Sequence, residues 1–297
     1  VVGVDDSGVD GTHADLNEVG AVSASAAGKH GTHVAGIIAG DGTRSLVSGG
    51  TDFQWRGMAP NAGLVDSSNL VNLANLLNAI NNFSLDLANH SHSVSPDGQY
   101  SADNQTIDQA IRGGATSGGN AVPRRPQVYS AGNAGNNAQY GNQRAYFSTT
   151  KQMKNAVFVG NWDAANNDLS TGSSMGPTYD GRIKPDLVAP GSGITSTGTN
   201  GGTTCYAGNA ANAYGPCGGT SMASPVVAGI MALMLEGWED TYDVDVDDNP
   251  PLPSTLRALL IQTATDIVDN DVRSSTSAEI DSDSDGTNGN DGNGRAT

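Results

Sequence analysis

Three short patterns in the 297-residue chain gather the residue types that nucleophilic catalysis uses. Asp6-Ser7-Gly8 follows the apolar run Val1-Val2-Gly3-Val4, which reads as a buried strand breaking into a turn. A carboxylate at a strand end can orient a catalytic base, and it is equally a common turn former. His30-Gly31-Thr32-His33-Val34-Ala35-Gly36-Ile37 opens a helix on an imidazole. The positive end of a helix disfavours imidazolium, so a base placed there stays neutral and ready to take a proton. Gly218-Gly219-Thr220-Ser221-Met222-Ala223-Ser224-Pro225 is a glycine turn running into an apolar helix, with Pro225 expected in the first turn. A hydroxyl at that helix start lies among free backbone N–H groups that favour an oxyanion, although an N-cap serine occupies the same kind of place.

Elements able to hold these groups alternate along the chain. Short apolar runs at 1–4, 63–65, 127–129 and 156–159 are interleaved with helical patterns at 30–38, 69–82, 103–112, 221–236 and 254–265. Such alternation predicts βαβ units and an α/β fold, a three-layer α/β/α sandwich with a mostly parallel sheet, whose strand ends collect catalytic loops. Hydrophobic residues make up 36% of the chain and aromatics 5%, so the core is expected from Ala, Val, Ile and Leu. The formal charge of −17 repels phosphate backbones and anionic lipid, which argues against nucleic acid or a membrane surface as partner. The longest apolar stretch, 226–235, is about half of a bilayer span, so no membrane span is expected.

In the order Asp6, His30, Ser221 the three patterns resemble the subtilisin-like serine proteases, the subtilases. Gly57-Met58-Ala59-Pro60, Ser130-Ala131-Gly132-Asn133 and the segment from Asp180 to Gly191 are also similar to segments of that family. The resemblance implies a secreted serine endopeptidase that cleaves extended polypeptides through an acyl-enzyme. Ser221 would be the nucleophile, His30 the base, Asp6 its orienting carboxylate and Asn133 an oxyanion-hole donor. It places Ala131 and Gly132 beside the substrate, and likens Asn89-His90-Ser91-His92-Ser93 to an edge strand that pairs with extended peptide, with Ser91, His92 and Ser93 as its contacts. His90 and His92 read equally as exposed loop residues, and His13 and His33 as structural. Departures from the family pattern are Asp5 at an apolar strand position, Ala14 for Pro, Ser93 for Gly and Met175 for Arg.

The resemblance implies no catalytic cofactor, a monomer made with a propeptide, and a bridge between Cys205 and Cys217, the chain's two cysteines. Structural calcium is expected from two sources. Asp281, Asp283 and Asp285, followed by Gly286, match the first positions of a calcium loop, and Asp15 resembles a calcium-ligating family aspartate. From Glu239 onward 14 acids face 3 bases, which divides the chain into a catalytic domain over 1–267, trimmed at its start, and an acidic Gly/Asn/Asp-rich segment over 268–297, with the end of the domain missing. Two rivals stand beside the protease reading. One is a catalytically silent subtilase-like domain used for binding or surface display. The other is an esterase, disfavoured because Gly219-Thr220-Ser221-Met222-Ala223 lacks the final glycine of a nucleophile elbow.

Overall fold

A computed structural model describes residues 1–17, 19–23, 28–92, 100–135, 151–176, 178, 180–198, 213–247 and 249–265. The chain runs β1 (Val2–Asp5), β2 (Val19–Ser23), α1 (Lys29–Ala39), β3 (Leu64–Ser67), α2 (Leu73–Phe83), β4 (Leu87–His90), α3 (Ala102–Arg112), a short hairpin of β5 (Thr116–Ser117) and β6 (Asn120–Ala121), then β7 (Gln127–Ser130), β8 (Val157–Asp163), β9 (Asp168–Leu169) and β10 (Leu187–Pro190). A second hairpin of β11 (Ile194–Gly198) and β12 (Ala213–Cys217) precedes α4 (Thr220–Tyr242) and α5 (Pro253–Thr263).

Seven strands pair in parallel in the order β10-β8-β7-β4-β1-β3-β2, and β9 adds antiparallel to β8. Side chains alternate across the sheet with the period of two that extended backbone imposes. Val2, Val4, Leu64, Leu87, Val128, Val157 and Val159 join α1 and α4 in one core. On the opposite face Val65 and Ala88 pack with α2, and Tyr129 and Phe158 with Ile107 and Ile111 of α3. This is the expected three-layer α/β/α sandwich. The chain builds β2 and β3 on one side of β1 and β4, β7, β8 and β10 on the other. The crevice beyond the carboxyl ends of β1 and its neighbours is therefore the topological switch point where such sheets bind ligands.

Boundaries moved for local reasons. Helix α2 starts at Leu73 rather than 69, because the Asn72 side chain accepts from Ala74 N and Asn75 N and fixes the helix start there. Helix α4 runs on to Tyr242, past the expected 236. Pro225 lies inside α4, not in its first turn, because the helix already begins at Thr220. By length and composition α4 could cross a membrane, yet Met222, Ala223, Val227, Ala228, Met231 and Leu235 are buried in the domain core. Finally, β4 lies between β1 and β7, so the strand that leads into Ser91 is interior and not at an edge.

Helix α1 approaches the β11–β12 hairpin closely. Thr197 Oγ1 donates to Thr32 O at 2.7 Å and Ser196 Oγ to His33 O at 2.8 Å, while a Cβ at Gly36 would lie 2.2 Å from Thr197 Oγ1. Gly36→Val therefore should cost on the order of 1–3 kcal/mol of stability from overpacking. Urea unfolding checks this: the midpoint falls at constant slope, whereas an unchanged midpoint would contradict the close packing.

Candidate active site

Asp6 follows β1 directly and is 6% exposed. Its two oxygens lie 2.8 and 2.9 Å from His30 Nδ1, in the first turn of α1, and Oδ1 also accepts from Ser7 N at 2.6 Å. Gly31 makes this approach possible, since a Cβ there would fall 2.3 Å from Gly8 O and 3.2 Å from the Asp6 Cβ. With Nδ1–H given to the carboxylate, Nε2 of His30 is the basic nitrogen. His13 and His33 are structural, as expected: His33 Nε2 lies 3.0 Å from both Ile194 O and Gly215 O, and His13 Nε2 lies 3.1 Å from Ala213 O. Burial lowers the proton affinity of both, His33 to about 4, so they stay neutral donors that tie the chain to the β11–β12 hairpin.

Ser221 is the second residue of α4, entered through Gly219 at φ 138°, a backbone state that favours glycine. Gly219 has no side chain with which to cap the helix, and Asn133 supplies the missing acceptor from across the fold. Its Oδ1 accepts from Thr220 N at 2.9 Å and from Thr220 Oγ1 at 3.0 Å. Because a backbone N–H can only donate, this contact fixes the amide's orientation, and Nδ2, with no partner among the described residues, is left to donate outward from an exposed side chain. Among the described residues the Ser221 N–H meets no acceptor, as befits the second position of a helix. Two donors therefore flank the nucleophile position.

Ser91 completes the arrangement in a way the spacing did not foretell. Pro225 has no N–H for the carbonyl four residues back, so Ser221 O loses its helical partner. Ser91 Oγ donates to that carbonyl at 3.0 Å, and Ser221 Oγ donates to Ser91 O at 3.0 Å. The Ser91 hydroxyl also lies 2.8 Å from Ser224 Oγ and accepts from Asn89 Nδ2 at 2.9 Å. The structure thus joins Asp6 to His30 and Asn133 to the start of α4, with Ser221 Oγ resting on Ser91 O instead of His30.

The remaining sites fall as follows. Ala131 N donates to Val159 O at 2.9 Å and Gly132 N to Thr220 Oγ1 at 3.1 Å, so both amides are committed inside the fold. His90 is not a loop residue: it ends β4 wholly buried, with Nδ1 2.8 Å from Asp5 Oδ2. His92, partly exposed, places Nε2 3.1 Å from the same oxygen. The two imidazoles outweigh the burial of Asp5 and hold its carboxyl well below the usual range. Lys151, also buried, donates to Ser130 O and Oγ at 3.1 Å, and burial lowers it to about 7 although Asp5 and Asp6 partly offset that cost. Asp15 is buried near Asp41 and accepts from Thr43 Oγ1 and Arg44 N; burial first, then Asp41, pushes its carboxyl up to about 6. Ser93, Cys205, Asp281, Asp283 and Asp285 lie outside the described residues.

A model of the subtilase family matches residues 1–294. The chain is 41% identical over 108 residues to the serine protease/ABC transporter B family protein tagB of Dictyostelium discoideum, across 33% of this chain and 6% of that protein. It is 38% identical over 108 residues to the C5a peptidase of Streptococcus pyogenes, across 36% of this chain and 8% of that one. The chain thus spans a small fraction of these relatives' length. Among solved structures it is similar to fervidolysin from Fervidobacterium pennivorans, at 25% identity and TM-score 0.57 over 91% of this chain and 39% of that one. It is also similar to a cold-adapted subtilisin-like serine proteinase, at 23% identity and TM-score 0.54 over 89% of this chain and 81% of that chain, a likeness of fold.

The interlock between Ser91 and Ser221 makes a quantitative prediction. Ser91→Ala leaves the buried Ser221 carbonyl without a donor and should cost about 1–3 kcal/mol of stability. In a Pro225→Ala background the new N–H at position 225 can reach that carbonyl, so the cost of Ser91→Ala should shrink. A double-mutant cycle by denaturant unfolding measures the difference, and strictly additive effects would contradict the account.

Proposed function

Because this chain belongs to the subtilase family, we propose that it is a serine endopeptidase acting on extended polypeptides through Asp6, His30 and Ser221. The observations that support this most directly are a carboxylate-oriented imidazole at the start of α1, a serine at the start of α4 and an amide oriented by that same helix start. In this mechanism the Ser221 side chain rotates off Ser91 O so that Oγ can donate to His30 Nε2. Nε2 then takes the hydroxyl proton as Oγ attacks the scissile carbonyl, and Asp6 steadies the imidazolium through Nδ1–H. The Ser221 N–H and Asn133 Nδ2 receive the oxyanion. His30 returns the proton to the departing amine, leaving an acyl-enzyme that water resolves by the same steps in reverse. Ser91, His92 and Ser93, with Ala131 and Gly132, would line the peptide's path.

Ser221→Ala and His30→Ala should each lower kcat by roughly 10⁶ with the fold intact, a figure carried over from subtilisin itself. Asn133→Ala should lower kcat by about 10²–10³ with little change in KM, again a magnitude measured on subtilisin. Peptide hydrolysis and circular dichroism of the three variants decide the matter. Residual activity near that of the parent would contradict the triad, and a parent with no hydrolysis at all would identify a silent binding domain.

Secretion is part of the same proposal, together with a bridge between Cys205 and Cys217. Cys217 is buried, and no free cysteine occurs among the described residues. Closing this loop would stabilise the chain by roughly 3 kcal/mol in the chain-entropy model. Intact mass should rise by two hydrogens on reduction, and two alkylatable thiols in the untreated protein would refute the bridge.

Calcium is proposed as a structural ion at Asp15 and in the acidic segment holding Asp281, Asp283 and Asp285. Support comes from the crowding of Asp15 and Asp41, whose mutual repulsion a cation would relieve. Millimolar calcium should raise the unfolding temperature in high salt, where general screening is saturated. An identical midpoint with chelator would remove calcium from the account.

A further inference from the structure

The face of β1 turned away from α1 and α4 carries a second polar cluster, one residue before Asp6. Asp5 there is fully buried, and Oδ2 lies 2.8 Å from His90 Nδ1 and 3.1 Å from His92 Nε2. The three ligand atoms all fall within 4.8 Å of one another. From this geometry we propose that Asp5, His90 and His92 bind a divalent transition-metal ion of the zinc class, a site distinct from the triad.

One further observation favours an ion at this cluster. Asp66 is also buried, and the nearby carboxylates of Asp6 and Asp5 add to the burial that disfavours its charge. A dication at Asp5 offsets that accumulation of negative charge. His90 meanwhile stacks on Tyr129 at 4.1 Å and 4°, which fixes its ring plane toward Asp5.

The donor set also suits the ion. One carboxylate oxygen and two imidazole nitrogens make the three-ligand set of an open zinc site, with donors about 2.0–2.1 Å from the metal and the fourth position left for water. Tetrahedral ligands at that radius are roughly 3.4 Å apart, so the present separations need open only slightly. The His92 side chain is 32% exposed and provides the entry route and the open position. Binding changes the tautomer of both rings with no net proton release: His90 Nδ1–H and His92 Nε2–H, which donate to Asp5 without the ion, lose their protons to His90 Nε2 and His92 Nδ1, and the freed nitrogens take the metal. The ion would fix the backbone next to Ser91, whose carbonyl holds Ser221 Oγ.

The test is cobalt titration of chelator-stripped full chain in excess calcium, which saturates carboxylate-only sites. One equivalent of Co²⁺ should bind with a saturable visible absorption band, zinc should displace it, and the unfolding temperature should rise with either ion. His92→Asn, at a partly exposed position that keeps the fold, should weaken cobalt binding at least tenfold, and Asp5→Asn should do the same where it folds. Absence of a saturable band, or equal affinity in parent and His92→Asn, would overturn the site. Neither readout requires peptidase activity, so the result stands apart from the catalytic reading.

Discussion

The contact on which the site depends is the one between Asn133 and Thr220. It joins the loop after β7 to the start of α4, two pieces of chain separated by 87 residues, through Thr220 N and Oγ1 on a single amide oxygen. One interaction supplies the cap that Gly219 lacks, turns Nδ2 outward, and leaves the next N–H in the helix unpaired. Gly132 N on Thr220 Oγ1 and Ser174 N on Gly132 O extend the tie into the sheet. A donor pair held this way needs no reorganisation when negative charge develops beside it, which is what makes fixed dipoles effective in a water-poor crevice.

Much of this was legible in the chain because the motifs are local. A histidine or serine beside glycine at a helix start, and an apolar strand ending in aspartate, carry their own secondary-structure signals, and the sheet follows from the alternation of strands and helices. The parts that escaped are long-range. That Pro225 orphans the Ser221 carbonyl could be inferred from the proline alone, once its place in the second turn is known, but that Ser91 answers it required 130 residues of chain to close. Strand β4 was legible only through the family resemblance, and as an edge strand, because Leu87-Ala88-Asn89-His90 has two polar residues; its interior place is paid for by pairing Asn89 with Ser91 and His90 with Asp5. Asp5 read as a departure from an apolar pattern, and its meaning lay in a histidine 85 positions away.

Among the described residues, the buried bases Arg125, Lys151 and Lys184 are each held by specific acceptors. Lys184 donates to Asp186 at 2.6 Å and to Ala156 O at 3.0 Å, and burial lowers it to about 8. Arg257 on α5 binds the other oxygen of Asp186, which fastens that helix to the sheet between β8 and β10. Such clusters contribute little net stability against an apolar replacement, yet losing one partner strands the others, so they fix where α5 and the loop before β10 sit. Lys151 does the same beneath Ser130, at the root of the loop that presents Asn133.

The most direct measurement of the central claim is active-site labelling with a sulfonyl fluoride, followed by mass mapping of the digested protein. The account predicts one adduct, with fluoride lost and the sulfonyl group on Ser221 Oγ, and no reaction in the His30→Ala variant. A label on any other residue, or a chain left unmodified under conditions that inactivate a control serine protease, would contradict it.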